Sequence, residues 1–271
     1  MAAVAALYAQ ADRNPEKALA MANAFTNRAD VVGEEALFLR GVLLFNGGQL
    51  LDAARSFEAL LARFPRSNRA DEIDGSLSAD GHLYFYSDRP GGSGGYDLYR
   101  APFQPEGDEF GEAINLGPLV NSPFNDYDPF VSRDGQRLFF SSNRHSGGSE
   151  EDYDLYVAVR EADGSWGPPQ RLPFNTTANE WEPALSADGL SLYFSSNRGG
   201  GVGGYDLWVS HFREGRWQEP VNLGPDINTS ADELDPAVSE DGTEMLFGSN
   251  RDGGHGRFDI WSARRVLTAA P

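Results

Sequence analysis

At 271 residues the chain has room for one medium domain and a small one. Its formal net charge of −19 is unevenly placed: residues 1–70 hold eight Lys and Arg against seven Asp and Glu, and the remainder holds fourteen against thirty-four. That field repels nucleic acid and anionic membranes and favours cationic ligands, although acidic surfaces also simply keep β-proteins soluble. The lack of cysteine excludes disulfides, thiolate metal sites and a cysteine nucleophile.

Residues 1–10 lack a basic n-region, and Ala11-Asp12-Arg13 cuts the apolar stretch too soon for a secretion signal. No later run is long and apolar enough for a membrane span. Residues 1–70 read as helical. Leu37, Val42 and Leu44 belong to one apolar pattern, Gly47-Gly48 breaks it, and Leu50, Ala54, Phe57, Leu61 and Phe64 form another before Pro65. Two helices around a glycine turn predict an αα-hairpin. The segment from Glu34 to Ser67 has the tetratricopeptide period, with Gly41, Ala53, Phe57 and Pro65 where that repeat wants them and Arg40 and Leu44 departing from it.

From residue 71 one phrase recurs four times. Its Asp-Gly pairs are Asp80-Gly81, Asp134-Gly135, Asp188-Gly189 and Asp241-Gly242. The spacing of about 54 residues marks repeat units near 71–124, 125–178, 179–231 and 232–271. Within the third unit, Trp181 to Ser186 is extended and Asp188-Gly189 signals a tight hairpin of type I′. Leu192 to Ser196 and Tyr205 to Val209 are strand-like around a glycine-rich turn, and Trp217 to Leu223 supplies a fourth strand. Four antiparallel strands per unit predict a mainly β chain, a β-propeller of four-stranded blades preceded by the small helical domain. The fourth strand of the last unit is expected past Pro271; either Arg265 to Ala270 supplies a short substitute, or the last blade has an open edge, a hazard of self-association or a docking site.

The Ser-x-Asp-Gly turns, the Phe-x-Ser-Asn/Asp-Arg strand ends, the Tyr/Phe-Asp-Leu/Ile-Tyr/Trp third strands and the link Asn228-Thr229-Ser230-Ala231-Asp232-Glu233-Leu234-Asp235-Pro236 resemble the WD-like propeller repeats of the TolB type over residues 71–271. The resemblance implies a mostly non-enzymatic scaffold of the bacterial cell envelope that binds proteins or peptides, with a periplasmic setting. The chain itself leaves a cytoplasmic one open.

Two constellations recur with the repeat. Acidic pairs stand two residues apart at Glu72/Asp74, Asp126/Asp128, Glu180/Glu182 and Glu233/Asp235, at the start of each innermost strand. Period-two spacing predicts both carboxylates of a pair on one side of the strand, with Ile73, Tyr127, Trp181 and Leu234 packing between blades. Such a ring of acids would suit a cation, Ca²⁺ by its oxygen ligands, or a basic peptide; equally, each acid could make a local turn bond repeated with the blade. The second constellation pairs Arg89 with Asp97, Arg144 with Asp154, Arg198 with Asp206 and Arg251 with Asp259 across a hairpin, as blade-bracing salt bridges or loop clamps.

The rival function is a hydrolase or lyase on carbohydrate or peptide, with Asp128 and Glu182 as acid and base. It needs unequal environments, which near-identical blades do not promise. Gly91-Gly92-Ser93-Gly94-Gly95 fits a nucleophile-elbow pattern and the glycines from Gly199 to Gly204 a dinucleotide pattern, but both lie between strands and lack the required helix. His82, His145, His211 and His255 show no metal-ligand spacing.

Overall fold

The computed structural model describes residues 76–78, 81–104, 109–254 and 257–265, together with 19, 20, 22–24, 26 and 40 near the N-terminus. Cα packing divides the chain into two compact units, residues 1–73 with 102–112, and residues 74–101 with 113–271. In the first unit, residues 22–24 are helical and Arg40 Nε donates to Asn23 Oδ1 at 2.6 Å. A short hairpin places Phe103 opposite Phe110, with β4 at Glu109–Phe110 as its return strand. The tetratricopeptide-like hairpins lie almost wholly outside the described residues.

The second unit is built of antiparallel sheets that follow one another along the chain. The first joins β1 (Ser76–Leu77), β2 (His82–Ser87), β3 (Asp97–Gln104) and β5 (Ile114–Asn115), with β5 beside β3. The second runs β6 (Asp126–Val131), β7 (Arg137–Ser142), β8 (Asp154–Val159) and β9 (Gln170–Arg171). The third holds β10 (Glu180–Leu185), β11 (Ser191–Ser196), β12 (Asp206–Arg213), β13 (Arg216–Trp217) and β14 (Val221–Asn222). The last runs β15 (Glu233–Val238), β16 (Glu244–Ser249) and β17 (Asp259–Arg264). Each sheet packs on the next near its inner edge: β2, with β1, on β6, then β6 on β10 and β10 on β15. Meandering sheets stacked through their inner strands are propeller blades.

Strand β7 shows why the sequence builds such a stack. Its apolar run is nearly continuous because both faces are covered. Leu138 and Phe140 join Tyr84, Leu98, Tyr156 and Trp166 in one core, while Phe139 joins Leu155, Leu192, Phe194 and Trp208 in the next. Burying a large apolar side chain contributes about 1.5–3 kcal/mol, so each interface gains from several.

Two local expectations change. The three fully described Ser-x-Asp-Gly turns are not type I′. Only the glycines, Gly135, Gly189 and Gly242, have positive φ, and Gly189 N–H donates to Ser186 O at 2.8 Å. The Asp stays right-handed because its carboxylate is occupied: Asp188 Oδ1 accepts from Ser186 Oγ at 2.5 Å and from Leu190 N at 2.9 Å. Glu214-Gly215, by contrast, has positive φ at both residues, 53° and 76°. The expected single fourth strand of the third sheet is two pieces, β13 and β14, on either side of Gln218-Glu219-Pro220, since proline cannot donate to a ladder.

Candidate functional site

The two acids of each pair part company. Strands β6, β10 and β15 each carry a register shift after the residue between the two acids, at Tyr127, Trp181 and Leu234. The second acid of the pair takes a left-handed backbone: Asp128 at φ 52°, Glu182 at 56° and Asp235 at 52°. This breaks the period-two alternation on which the same-side expectation rested. Glu180 accepts from Ser196 Oγ at 3.2 Å, whereas Glu182 accepts from Ser195 Oγ. Neighbouring residues of β11 point to opposite faces, so the two acids do too.

The first acids, Asp126, Glu180 and Glu233, are fully buried clamps. Glu180 accepts from Thr176 N at 2.9 Å and Thr176 Oγ1 at 2.6 Å, and Glu233 does the same with Thr229 at 2.7 Å each. Asp126 accepts from Ser122 N at 2.6 Å and Ser122 Oγ at 3.2 Å. Each ties the link phrase to its own strand.

The arginines go to these acids rather than to the third-strand aspartates. Arg144 reaches Asp126 at 2.6 Å, Arg198 reaches Glu180 at 3.0 Å and Arg251 reaches Glu233 at 3.0 Å. Each guanidinium lies about 5 Å from two rings: Arg144 over Phe140 and Tyr156, Arg198 over Phe194 and Trp208, Arg251 over Phe247 and Trp261. Arg89 lies over Phe85 and Tyr99 in the same way. The aspartates have other work. Asp97 accepts from Ser93 N, Gly94 N and Asn115 Nδ2, and Asp206 from Val202 N, Gly203 N and Asn222 Nδ2. They clamp the glycine-rich turns. Asp154 instead pairs with Arg171 at 2.6 Å, and Asp259 opens β17.

The second acids meet. Ser141 Oγ donates to Asp128 Oδ2 at 3.1 Å and accepts from Glu182 N at 3.3 Å. Glu182 Oε2 accepts from Ser195 Oγ and from Asp235 N at 2.8 Å. One hydrogen-bonded path therefore crosses three successive sheets. The extra methylene of Glu182 lets its carboxylate reach the next strand directly, where the shorter Asp128 needs Ser141 between. Burial, then the negative charges of Asp235 and Asp128, push Glu182 well above the usual carboxylate range. Its side chain is half-buried. Among the described residues no three acidic or histidine side chains approach a geometry that could hold a metal ion, so the calcium reading has no ligand set there. Glu72 and Asp74 lie outside the described residues.

Beside the acids runs a row of rings: Tyr86 and Tyr96 on Tyr127, Tyr127 on Tyr153, Tyr153 on Trp181 and Trp181 on Tyr205, with centroids 4.9–5.6 Å apart. Sequence reasoning missed Glu150. Its Oε2 accepts from Tyr153 Oη at 2.8 Å and its Oε1 from Asn125 Nδ2 at 3.0 Å. Burial leads in pushing the Tyr127 phenol up to about 12, and the Glu150 charge adds to it. The signal was there: eight residues separate Arg144 from Tyr153, where six separate Arg198 from Tyr205, and acids replace the glycines.

No family model and no curated protein matches the chain. Solved structures similar to it include TolB from Acinetobacter baumannii (20% identity, TM-score 0.48, covering 70% of this chain and 40% of that one). They include a putative TolB from Agrobacterium tumefaciens (17%, 0.47, 68% and 57%) and a puromycin-hydrolyzing peptidase from Mycobacterium tuberculosis (18%, 0.43, 70% and 27%). The chain thus spans about half the length of the two TolB chains or less. The resemblance to TolB-type propellers drawn from the repeats agrees with what these matches are. At such scores the likeness carries no functional argument, and the propeller assignment rests on the sheets themselves.

Proposed function

We propose that this chain is a non-enzymatic binding scaffold of the bacterial cell envelope whose acidic throat receives a basic segment of a protein or peptide partner. The observation that supports it is the meeting of Asp128, Glu182 and Asp235 on three successive inner strands, each in a strained backbone conformation. A non-glycine residue held left-handed costs about 1–3 kcal/mol, and such strain tends to cluster where a site is being positioned. Like charges crowded together also cost stability, and an arriving guanidinium or ammonium relieves that cost. No helix among the described residues is long and apolar enough to cross a membrane. The repeat phrases' resemblance to the TolB type supports the envelope setting.

Calorimetric titration with a hexa-arginine peptide tests the throat. Binding is expected for the wild-type protein and is expected to fall at least tenfold in Asp128→Asn/Glu182→Gln/Asp235→Asn. A charge-matched control, Glu151→Gln/Glu161→Gln/Glu219→Gln, removes three exposed carboxylates elsewhere and should retain it. Equal losses in both variants would reduce the effect to net charge and end the proposal.

One observation favours the hydrolytic reading as well. Glu182 is pushed up by burial and by its neighbours, which is the inequality a general acid requires. Turnover of glycoside or peptide substrates, lost in Glu182→Gln alone, would select it over the scaffold.

A further inference from the structure

Four times over, the chain shows how it holds a guanidinium. Arg144 pairs with Asp126 at 2.6 Å and lies 5.1 and 4.9 Å from the centroids of Phe140 and Tyr156. Those two rings are 20° from parallel with centroids 5.7 Å apart. Arg89 lies in the same way on Phe85 and Tyr99, which are 23° from parallel. Arg198 and Arg251 each pair with an acid and lie over two rings. A planar cation stacks on ring faces while its edge donates to a carboxylate, and each of these seats with a described acid supplies both parts.

Trp181 and Tyr205 form another near-parallel pair, 12° from parallel with centroids 5.2 Å apart. Phe174 and Phe194, at 16°, have Arg198 on the Phe194 ring. By contrast, among the described residues no cation lies over Trp181 or Tyr205, and both side chains are half-buried. An acid stands beside them as it does in the filled seats. Trp181 alternates with Glu180 along β10, and Glu182 points to the face opposite Glu180, so Glu182 shares the face of Trp181. Burial leads in pushing the Tyr205 phenol up, and the Glu182 charge adds to it. Glu182 Oε2 accepts from Ser195 Oγ and from Asp235 N, while Oε1 has no donor among the described residues. The rings are fixed in advance. Asn179 Nδ2 donates to Tyr205 Oη at 2.8 Å, and Tyr153 meets Trp181 edge-on at 5.4 Å.

We infer that Trp181, Tyr205 and Glu182 form a guanidinium seat that the chain does not fill itself, and that the partner segment places an arginine there in preference to a lysine. The inference rests on the throat reading and names the residue type the throat takes. Asp128 and Asp235 attract either cation. The ring pair discriminates, because an ammonium carries the same charge but is compact, strongly hydrated and without a flat face to lay on the rings.

The test is calorimetry on the full chain with hexa-arginine and hexa-lysine, two peptides of equal length and charge. Hexa-arginine is expected to bind about tenfold tighter. Tyr205→Leu should bring the two affinities to within about twofold of each other, whereas Tyr205→Phe, which keeps the ring and loses only the hydroxyl, should keep the preference. A second measurement needs no variant. Saturation of aromatic protons in the wild-type protein should transfer to the δ-methylene of bound hexa-arginine more strongly than to the ε-methylene of bound hexa-lysine. Equal affinities for the two peptides overturn the seat and leave the acidic throat standing. So does a preference that survives Tyr205→Leu in a folded protein, or bound hexa-arginine that receives no saturation. If neither peptide binds the folded wild-type protein, the throat reading fails and the seat with it.

Discussion

Replacing Arg198 with methionine isolates the device that recurs in three of the described sheets. Arg198 is 8% exposed and its partner Glu180 is 0% exposed. Burial pushes both toward neutrality, Arg198 down and Glu180 up, so the pair sits where desolvation outweighs attraction. Nη2 lies 3.0 Å from Oε1 as an ion pair but without the geometry of a full hydrogen bond. Removing one member of a buried pair costs about 3–5 kcal/mol. Glu180 keeps Thr176 N, Thr176 Oγ1 and Ser196 Oγ as donors, which places the expected loss near the lower end, about 3 kcal/mol. With a urea slope of about 2 kcal/mol/M, the midpoint drops by roughly 1.5 M at neutral pH. The loss must also depend on pH. Without the guanidinium, Glu180 rises further above its unfolded value, so the folded state binds the extra proton and stability falls as pH climbs through that raised value. The deficit of Arg198→Met should therefore shrink as pH is lowered toward the ordinary glutamate range, and Arg198→Met/Glu180→Gln should recover part of it at neutral pH. A deficit of equal size at pH 8 and pH 5 would refute the charge argument and assign the effect to packing against Phe194 and Trp208.

Asn228→Ala leaves the buried N–H and C=O of Leu207 unpaired and should cost about 2–4 kcal/mol in chemical denaturation. Gly203→Ala should destabilise far more than Gly199→Ala in thermal melts. A Cβ at Gly203 runs into the backbone carbonyls of Thr229 and Ala231, whereas one at Gly199 meets open space. Glu182→Gln should stabilise the protein at neutral pH by about 1–2 kcal/mol, because it removes the charge that burial, Asp235 and Asp128 oppose. That gain should vanish as pH falls through the raised pKa of Glu182, where the wild-type side chain is itself neutral; a gain persisting below pH 4 in paired melting curves contradicts the assignment.

The fixed period, the aromatic third strands and the link phrase were legible because repetition reports the same contacts several times over. Tyr127 and Trp181 pack between sheets as their alternation with the acids suggested. What was not legible turns on single backbone conformations. The left-handed turn at Asp128, Glu182 and Asp235 separates two acids that a regular strand would have kept together. The partner of each arginine was hidden for a related reason. Sequence spacing brings Arg198 near both Glu180 and Asp206, and only the demand of the Val202 and Gly203 N–H groups for Asp206 decides between them. The type I′ expectation failed on the side chain of Asp188, which bonds within the turn and keeps the residue right-handed.

A repeated chain divides its labour between what every unit shares and what one unit lacks. The acid, arginine and ring-pair device recurs almost unchanged, so a role in holding sheets together accounts for it. The units differ in a few departures. Glu182 is one methylene longer than Asp128 and Asp235, and that methylene carries its carboxylate to the Asp235 N–H. Glu150 adds a charge beside two tyrosines in one sheet, in a loop that elsewhere is mostly glycine. Phe258 and Ile260 expose a face that every preceding sheet covers. These departures lie on the inner strands, in the loop between β7 and β8, and on the last sheet. The acidic cluster proposed as a socket would need a cationic group to relieve its crowded charges.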